Sequence, residues 1–522
     1  MQLPSSTKIL VVGGGPAGST AATLLAREGF EVTLVEKAIF PRYHIGESLL
    51  ISVQPIIDLL GAREAVEAHG FQRKKGVLWE WGGERWLFDW KKLRYDYTFH
   101  VKREEFDEIL LRNAQKNGVK VFEGIDISRL EFDGERPVAA KWSKSSTGES
   151  GTIQFEFLLD ASGRAGLMAT QYLRSRMFMK AFQNVATWGY WKGATIPEVE
   201  VEGPITVGSI PYGWIWGIPL RDQTMSVGLV IHQELFKEKR ATQSVEEIYH
   251  EGLKASPLFQ DVVLKGATLE PQIRTETDYS YISRTLAGPG FFLVGDSGAF
   301  IDPLLSSGVH LAMHSALLAA ASVKSIIAGE VDMASATEFY QRCYQGHFLR
   351  WALIVASFYE VNARKETYFW TAQQLAHEEL GVFNMSQADM KDVFATMVSG
   401  VVDLGDAQNA GRLQKGAERV HQYLDDDGRE EDVTALLQKS KQRIFEYLDR
   451  VKNRDSRAAM QRYKAGGTET FSMGLDADGA VGGLYVTTEP RLGLLRKVVE
   501  ERAEAATEAP APAAPPPAVA EV

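Results

Sequence analysis

A glycine-rich segment near the N-terminus restricts the fold of this chain more than any other part of its sequence. Residues 13–18 read Gly-Gly-Gly-Pro-Ala-Gly and follow an apolar run, Lys8–Val12, that predicts a β-strand. Pro16–Glu28 predicts a helix, and Glu31–Glu36 predicts a second strand. A G-x-G-x-x-G pattern between a strand and a helix is typical of a dinucleotide-binding βαβ unit.

Each small residue of this motif has its own physical role. Gly13 allows the tight turn, Gly15 lets a pyrophosphate approach the backbone, and Gly18 permits close packing of helix on strand. The helix N-terminus, which includes Ala17, faces the phosphates. Glu36 ends the second strand, where its carboxylate can accept hydrogen bonds from the adenosine ribose. A glycine-rich turn without a ligand is the alternative, but strand, helix and acidic residue all lie where the motif requires them.

Length, charge and cysteine content exclude several classes of protein. The chain has 522 residues, enough for about two or three domains. Its formal net charge of −11 argues against a broad nucleic-acid-binding face. Its single cysteine, Cys343, allows no intrachain disulfide and no cysteine-rich metal site. No secretory signal precedes the first strand, and the apolar stretch Leu311–Gly329 contains polar residues that favour a buried helix. We therefore expect a cytoplasmic protein that binds no nucleic acid, membrane or metal.

The rest of the chain predicts a mixture of strands and helices. Phe106–Asn117 is an amphipathic helix, and the aromatic-rich segment Thr187–His232 predicts an antiparallel sheet. Phe291–Val294 is a buried strand, followed by a loop and a long helix from Val309. Beyond about Phe339 the pattern is almost wholly helical.

Two distant segments indicate which dinucleotide is bound. Leu293–Asp296 reads Leu-Val-Gly-Asp, and Leu159–Gly163 reads Leu-Asp-Ala-Ser-Gly. They resemble the Gly-Asp and Asp-Gly signatures of the FAD-dependent monooxygenase superfamily, which includes the aromatic hydroxylases. The resemblance implies that FAD is the cofactor, that Asp296 contacts the flavin ribitol and that Arg103 lies near the FAD.

The segment Gly213–Pro219 narrows the chemistry. It reads Gly-Trp-Ile-Trp-Gly-Ile-Pro and resembles the W-x-W-x-I-P motif of flavin-dependent halogenases. The resemblance implies that four of its residues line the region between flavin and substrate pocket: Trp214, Trp216, Ile218 and Pro219. The alternative is that the two tryptophans are neighbours on one face of a strand and pack a core.

A lysine two residues before Gly76 is the second halogenase feature. Lys74 has this spacing, and Lys75 is the adjacent alternative. In halogenases this lysine lies at the far end of a tunnel from the flavin, where it forms a chloramine or orients hypochlorous acid by a hydrogen bond. An amine in a partly desolvated pocket has a lowered pKa and can react with an electrophilic halogen.

Two further segments resemble parts of the halogenase family. Phe40–Ser48 resembles the segment that runs along the flavin, and its polar positions are Arg42, Glu47 and Ser48. The resemblance implies cofactor contacts for Arg42 and Ser48, and a purely structural role of the three residues is the alternative. Asp302–His310 resembles the turn that holds chloride, which implies halide binding by Ser307 and Gly308. Leu305 stands where tryptophan halogenases have a glutamate, and this departure counts against free tryptophan as the substrate.

The resemblance runs from about Lys8 to Trp370 and implies an α/β (α+β) fold. An FAD-binding Rossmann-like domain, an inserted antiparallel sheet layer over the substrate and a C-terminal helical region are expected. The expected boundaries are 1–75, 101–185 and 270–340 for the discontinuous FAD-binding domain, 76–100 and 186–269 for the sheet, 341–508 for the helical region, and 509–522 for a disordered Ala/Pro tail.

The implied function is chlorination by reduced FAD, O2 and chloride of an electron-rich ring of phenol or pyrrole type. The resemblance is closest to halogenases of antibiotic and other secondary-metabolite pathways, and it implies a substrate tethered to an acyl or peptidyl carrier protein. No second nucleotide motif is visible, so a separate flavin reductase is expected. An FAD-dependent aromatic hydroxylase and a non-catalytic flavin-binding accessory protein are the alternatives.

Overall fold

The structure is a computed structural model that describes residues 2–91, 95–361 and 480–497. Its helices are α1 (Pro16–Arg27), α2 (Gln54–Leu59), α3 (Arg63–His69), α4 (Arg103–Lys116), α5 (Gln233–Arg240), α6 (Val245–Lys254), α7 (Gly308–Ile327) and α8 (Met333–Val361). Its strands are β1 (Ser6–Val12), β2 (Val32–Glu36), β3 (Gln72–Lys74), β4 (Gly76–Trp81), β5 (Glu84–Asp89), β6 (Thr98–His100), β7 (Lys120–Glu123), β8 (Ile125–Asp133), β9 (Arg136–Lys144), β10 (Ser150–Asp160), β11 (Arg176–Lys192), β12 (Ile205–Ile210), β13 (Gly213–Pro219), β14 (Thr224–His232), β15 (Thr268–Leu269), β16 (Arg274–Ser283), β17 (Ala287–Gly288), β18 (Phe291–Leu293), β19 (Ala299–Phe300), β20 (Leu484–Thr487) and β21 (Gly493–Arg496).

The first sheet carries the glycine motif. Its order is β17-β18-β10-β1-β2-β7, and β18, β10, β1, β2 and β7 run parallel. Ile9 and Val11 belong to one apolar cluster, whereas Leu10 and Val12 belong to another on the opposite face. Both faces of β1 are therefore buried, which explains why this strand is a continuous apolar run rather than an alternating one. The predicted βαβ unit is present, with α1 between β1 and β2.

The second sheet has the order β19-β16-β11-β14-β13-β12-β4-β5, with β15 paired to β11. Its pairs are antiparallel, apart from the parallel pair of β12 and β4. Ile215 faces an apolar cluster that includes Tyr249 and Phe259. Trp214 and Trp216 face the larger cluster on the other side of the sheet. Alternation along β13 therefore places both tryptophans on one face.

The second sheet extends beyond the residues predicted for it. β11 begins at Arg176, and β16 covers 274–283, so both contain residues expected in the FAD-binding domain. The pairing of β11 with β16 shifts register between Phe178 and Gln183. This irregularity interrupts the two-residue period by which a strand is recognised in a sequence. The sequence prediction therefore placed the start of this strand too late in the chain.

The expected helical character of 341–508 holds for residues 341–361, which lie in α8, but is wrong for the hairpin of β20 and β21. Leu484 and Val486 are buried and alternate with half-buried neighbours, as in a strand with one buried face. The hairpin packs on α7, where the Leu494 amide donates to the Ser325 hydroxyl over 2.7 Å. Residues 362–479 and the predicted tail, 509–522, lie outside the described residues.

Helix α7 is long and apolar enough to cross a membrane, with a mean hydropathy of 1.3 over its most apolar window. However, 83% of that window is buried inside the protein, which is the position of a core helix. Cys343 is buried beside it on α8, and burial raises the pKa of its thiol.

Candidate active site

A cavity of about 830 Å³ opens between residues of both sheets. β1 and β2 contribute to its wall on one side, and β11 and β13 contribute on the other. Many of the residues selected from the sequence line it: Gly13, Gly15, Ala17, Glu36, Arg42, Ser48, Arg103, Trp214, Trp216, Ile218, Asp296 and Gly308. Gly18, Pro219, Lys74, Lys75 and Ser307 are not part of its lining. The sites chosen from separate segments thus converge on one space.

The glycines of the N-terminal motif shape one end of this cavity. Gly13 has φ +110°, and a Cβ there would lie 2.1 Å from the Ala161 carbonyl oxygen. A Cβ on Gly18 would lie 1.9 Å from the Gly13 carbonyl oxygen. A Cβ on Gly15 would meet only the Arg42 guanidinium, at 3.4 Å. Gly13 and Gly18 are therefore required by the fold, whereas Gly15 leaves open space next to the N-terminus of α1, as a pyrophosphate requires.

Glu36 is held beside this end of the cavity by two backbone amides. The Gly14 amide donates to Oε2 over 2.6 Å, and the Ala38 amide donates to Oε1 over 2.8 Å. Each carboxylate oxygen has further acceptor capacity, so Glu36 can still accept hydrogen bonds from a ribose. Asp296 also lines the cavity, and burial raises the pKa of its carboxyl to about 6.

A buried group of charges fixes the Phe40–Ser48 segment. Arg103 donates to both Asp107 oxygens, over 2.7 and 2.9 Å, and Arg42 lies 3.0 Å from the same carboxylate. Arg103 also donates to the Ile45 carbonyl over 2.9 Å. Burial alone would raise the pKa of Asp107, but the two arginines hold it below its usual range. The arginines thus anchor this segment along the cavity wall.

Lys74 lies in the interior, next to a second and much smaller cavity of about 10 Å³. Its side chain is 1% exposed, and Nζ donates to the Ser48 hydroxyl over 2.8 Å and to the Leu49 carbonyl over 3.0 Å. Ser48 itself lines the large cavity. Three residues line both cavities: Ile205, Leu304 and Ser306. Lys74 is therefore separated from the large cavity by a thin wall.

Burial lowers the pKa of the Lys74 amine to about 7. His100 is buried nearby, and its Nε2 donates to the Gly203 carbonyl over 3.1 Å. Burial and then the charge of Lys74 lower the pKa of His100 well below its usual value. Near neutral pH this interior site therefore holds an amine that is partly uncharged, as a nucleophile for electrophilic halogen must be.

Lys75 has a different environment, although it is the adjacent residue. Its Nζ lies 2.7 Å from a Glu202 carboxylate oxygen, its side chain is 34% exposed, and the hydrogen bond to Glu202 raises its pKa. It lines neither of the two cavities. The structure thus distinguishes two lysines that spacing alone left open, because the alternation along β3 turns Lys74 inward.

The two tryptophans of β13 lie next to each other, with ring centroids 5.9 Å apart. Trp214 donates to the Tyr359 hydroxyl over 2.8 Å, and Trp216 donates to the Ser226 hydroxyl over 3.3 Å. Tyr359 in turn donates to Asp302 over 2.9 Å. These bonds fix the rings against the cavity and connect β13 to the turn that begins at Asp302.

The predicted halide turn lies between the two cavities. Gly308 lines the large cavity at the N-terminus of α7, and a Cβ there would meet no atom within 4 Å. The Ser307 hydroxyl is buried and makes no hydrogen bond with any described residue, so it is a free donor. Leu305 is buried beside Lys74 in the small cavity. A free hydroxyl and a helix N-terminus together suit an anion.

Some residues of the site were not selected from the sequence. Ser306 has φ +58° and lines both cavities. Its positive φ belongs to a turn whose shape was not predicted from the sequence. Glu47, a polar position of the Phe40–Ser48 segment that was given no cofactor role, lines the large cavity and accepts from the Tyr190 hydroxyl over 2.8 Å. Burial raises the pKa of Glu47 to about 7. Trp188 also lines the wall of the large cavity. It lies in an aromatic-rich strand, so the sequence did not distinguish it from a core residue.

The arrangement fits FAD and one further small reactant. The large cavity joins an open phosphate cradle at Gly15 to the tryptophan pair, and its wall carries Glu36 and Asp296. Among the described residues no cluster of histidine, cysteine or acidic side chains is suited to hold a metal ion. An organic cofactor in the large cavity, with a separate amine behind it, is the chemistry that this geometry supports.

Comparison with known proteins agrees with this interpretation. The model of the tryptophan halogenase family matches residues 8–93 and 90–396. The flavin-dependent halogenase ptaM of Pestalotiopsis fici is 39% identical over 382 residues, which are 68% of this chain and 70% of the relative. The flavin-dependent halogenase armH1 of Armillaria mellea is 41% identical over 394 residues, 70% of this chain and 74% of the relative.

Solved structures show the same relationship. The myxobacterial chondrochloren halogenase CndH, described as a variant of FAD-dependent halogenases, is 31% identical with a TM-score of 0.66, over 76% of this chain and 90% of that one. The flavin-dependent halogenase CmlS is 30% identical with a TM-score of 0.67, over 77% and 73%. These matches confirm the predicted fold class and cofactor, and the chain belongs to the tryptophan halogenase family of flavin-dependent halogenases, enzymes that use FAD, O2 and a halide.

Proposed function

We propose that this halogenase chlorinates an electron-rich aromatic ring of phenol or pyrrole type, with Lys74 as the residue that transfers the halogen. The observation that carries this proposal is the position of Lys74, a buried amine with a pKa of about 7 behind the cavity that fits FAD. An aromatic hydroxylase would not need a lysine there. The same position makes a non-catalytic accessory protein a poor alternative.

Bound reduced FAD, supplied by a separate flavin reductase, provides the electrons that convert O2 and chloride to hypochlorous acid and water. The protein's own residues do the rest. Ser307 and the N-terminus of α7 hold chloride, while Trp214 and Trp216 keep the ring of the substrate away from the flavin. Lys74 receives the electrophile on the other side of Ile205, Leu304 and Ser306, and its apolar surroundings exclude water.

Two roles remain open for Lys74, and charge distinguishes them. A chloramine requires the neutral amine, because an ammonium has no lone pair, whereas orientation of hypochlorous acid by a hydrogen bond can use an ammonium. With a lowered pKa of about 7, the neutral fraction rises with pH through about 7. We expect chlorinated product per flavin oxidised to rise between about pH 6 and about pH 8 and then to level off.

The matched control is Lys74→Arg, because a guanidinium keeps its charge and its hydrogen bonds at every pH tested. If the chloramine role is correct, Lys74→Arg forms little product and shows no rise with pH. Retained product in Lys74→Arg, or a wild-type yield that falls above pH 7, would instead identify the hydrogen-bonding role. Product and flavin oxidation are both measured, so that hypochlorous acid formation is separated from its use.

Leu305 supports the substrate class. It is 2% exposed and lines the small cavity together with Leu50, Val77 and Val207, so no carboxylate from this position reaches Lys74. A carboxylate there would help to stabilise the positive charge that develops on an attacked ring. A phenol or pyrrole stabilises that charge through its own oxygen or nitrogen, and it therefore suits an apolar pocket better than a less activated ring.

We further propose that the ring is presented on an acyl or peptidyl carrier protein. Two features support this: the resemblance to halogenases that act on tethered substrates, and Leu305 in place of the glutamate of tryptophan halogenases. One aromatic acid is offered free, as its coenzyme A thioester and loaded on a cognate carrier. We expect at least about tenfold higher kcat/KM for the loaded acid, equivalent to about 1.4 kcal/mol. Equal rates for free and loaded acid would remove the carrier and leave the halogenase assignment unchanged.

A further inference from the structure

The surroundings of Lys74 include an aromatic ring of the protein itself. The Lys74 Nζ donates two hydrogen bonds, to the Ser48 hydroxyl and the Leu49 carbonyl. The ring of Trp90 lies on Nζ as well, with its centroid 5.1 Å away. Trp90 is 1% exposed, so bulk solvent does not separate this ring from the amine.

The small cavity beside Lys74 leaves little space for any other ring. Its volume of about 10 Å³ is close to the space that a single water molecule needs. Hypochlorous acid is of similar size, whereas a phenol is several times larger. The aromatic ring that lies next to the Lys74 amine in this structure is therefore a side chain of the enzyme, Trp90.

Trp90 is also chemically suited to react. An indole is one of the most electron-rich rings in proteins, and its five-membered ring has a carbon with a replaceable hydrogen. The Trp90 Nε1 is buried and makes no hydrogen bond with any described residue. Among the described residues, no polar partner therefore covers the nitrogen of this ring when it reacts with an electrophile on that amine.

We propose that Trp90 is a modification site at which the enzyme halogenates itself when no aromatic substrate is present. The proposal rests on the proposed role of Lys74. In the first step the O–Cl bond of hypochlorous acid breaks, an N–Cl bond forms on Lys74, and one amine hydrogen leaves with the hydroxyl as water. In the second step the chlorine passes to an indole carbon, the N–Cl bond breaks, and the proton lost from that carbon returns to the amine. Lysine is regenerated, and no further oxidant is needed.

Substrate and Trp90 therefore compete for the same electrophile. A substrate ring that reaches Lys74 has to widen the small cavity, and it then removes chlorine from the amine before the indole reacts. Trp79 lines the small cavity as well, and its ring stacks on Trp86 with centroids 5.5 Å apart. Trp214 and Trp216 line the large cavity, on the other side of the wall from Lys74.

The experiment uses the full-length enzyme with FAD, a flavin reductase, NADH, O2 and chloride, without aromatic substrate. Trypsin then separates residues 86–91, which contain Trp86 and Trp90, from residues 76–85, which contain Trp79 and Trp81. We expect the chlorine isotope pattern on Trp90, at least about tenfold above Trp142, a tryptophan of β9 in the other sheet. Bromide in place of chloride should give the bromine pattern on the same residue.

Three variants and one competitor test the route. Lys74→Ala should lose the label on Trp90 while flavin oxidation continues, and Lys75→Ala should keep it. Trp90→Phe should leave residue 90 unlabelled and still bind FAD. Addition of an aromatic substrate that is turned over should suppress the label. An equal label on Trp90 in Lys74→Ala, or a label spread evenly over Trp142 and the other tryptophans, would overturn the proposal, because freely diffusing hypochlorous acid would then be responsible.

A soluble β-diketone that captures hypochlorous acid separates this inference from the proposed function. If the β-diketone is chlorinated and an aromatic substrate is chlorinated, but Trp90 stays unlabelled in the absence of that substrate, the self-halogenation proposal alone fails. If Lys74→Ala chlorinates the aromatic substrate as well as the wild type does, the proposed role of Lys74 fails, and with it the route to Trp90.

Discussion

Replacing Lys74 by alanine is expected to reduce chlorinated product by about 100-fold or more, within the range for loss of a group that acts in the transition state. FAD binding and flavin oxidation by O2 should continue, because Lys74 does not line the large cavity. Hypochlorous acid is still made in this variant, but no amine receives it. Product, FAD binding and flavin oxidation are measured on the same preparation.

Lys75→Ala is the matched control, because Lys75 is the adjacent residue, between the end of β3 and the start of β4. Its salt bridge to Glu202 is exposed, and an exposed pair of this kind contributes little to stability. We expect product within about twofold of the wild type. A loss of chlorination in Lys75→Ala with retention in Lys74→Ala would show that the exposed lysine is the functional one, and loss in neither would remove lysine from the reaction.

Replacing Gly15 by valine should abolish FAD binding without unfolding the protein. The Cβ at Gly15 has open space apart from the Arg42 guanidinium, the end of a flexible side chain, so the valine can be accommodated by the protein alone. The valine would instead occupy the position of the cofactor phosphates. We expect FAD affinity to fall by at least about 100-fold, equivalent to about 2.8 kcal/mol, in a titration followed by flavin fluorescence.

Gly18→Ala is the comparison that shows why Gly15 is informative. A Cβ at Gly18 would lie 1.9 Å from a backbone oxygen, so this change should destabilise the apoprotein by about 1–3 kcal/mol. The midpoint temperature of thermal unfolding of the apoprotein should therefore fall in Gly18→Ala and remain near the wild-type value in Gly15→Val. Normal FAD affinity in Gly15→Val would exclude the assigned phosphate cradle.

Local chemistry made part of this site predictable from the sequence. The roles of Gly13 and Gly18 depend on close backbone contacts that every such turn has, and the structure reproduces both contacts. Both faces of β1 are buried, so it is a continuous apolar run, and this run was recognised as a strand. The family and the cofactor followed from motifs of the same kind, and the comparisons confirm both.

Other features depend on tertiary contacts that no local pattern contains. The choice between Lys74 and Lys75 requires knowledge of which side of β3 faces the interior. Ser48 was selected as a cofactor residue, but its hydrogen bond to Lys74 joins residues that are 26 positions apart. The β20–β21 hairpin is defined by its packing on α7, more than 150 residues earlier in the chain, as the 169-residue separation of Leu494 and Ser325 shows. Its two strands are too short for their alternation of buried and exposed residues to be recognised in the sequence.

The three side chains shared by the two cavities form the wall between the cofactor cavity and the Lys74 cavity. Ile205, Leu304 and Ser306 separate a chamber large enough for a dinucleotide from one that has room for about a single water molecule. On the proposed route a three-atom oxidant passes this wall and an aromatic ring does not, so selection by size at this point would decide the type of product. Conversion of this scaffold into a hydroxylase would then require a wider opening at Leu304 or Ile205, so that the ring reaches the flavin, and the flavin's own environment would need no change.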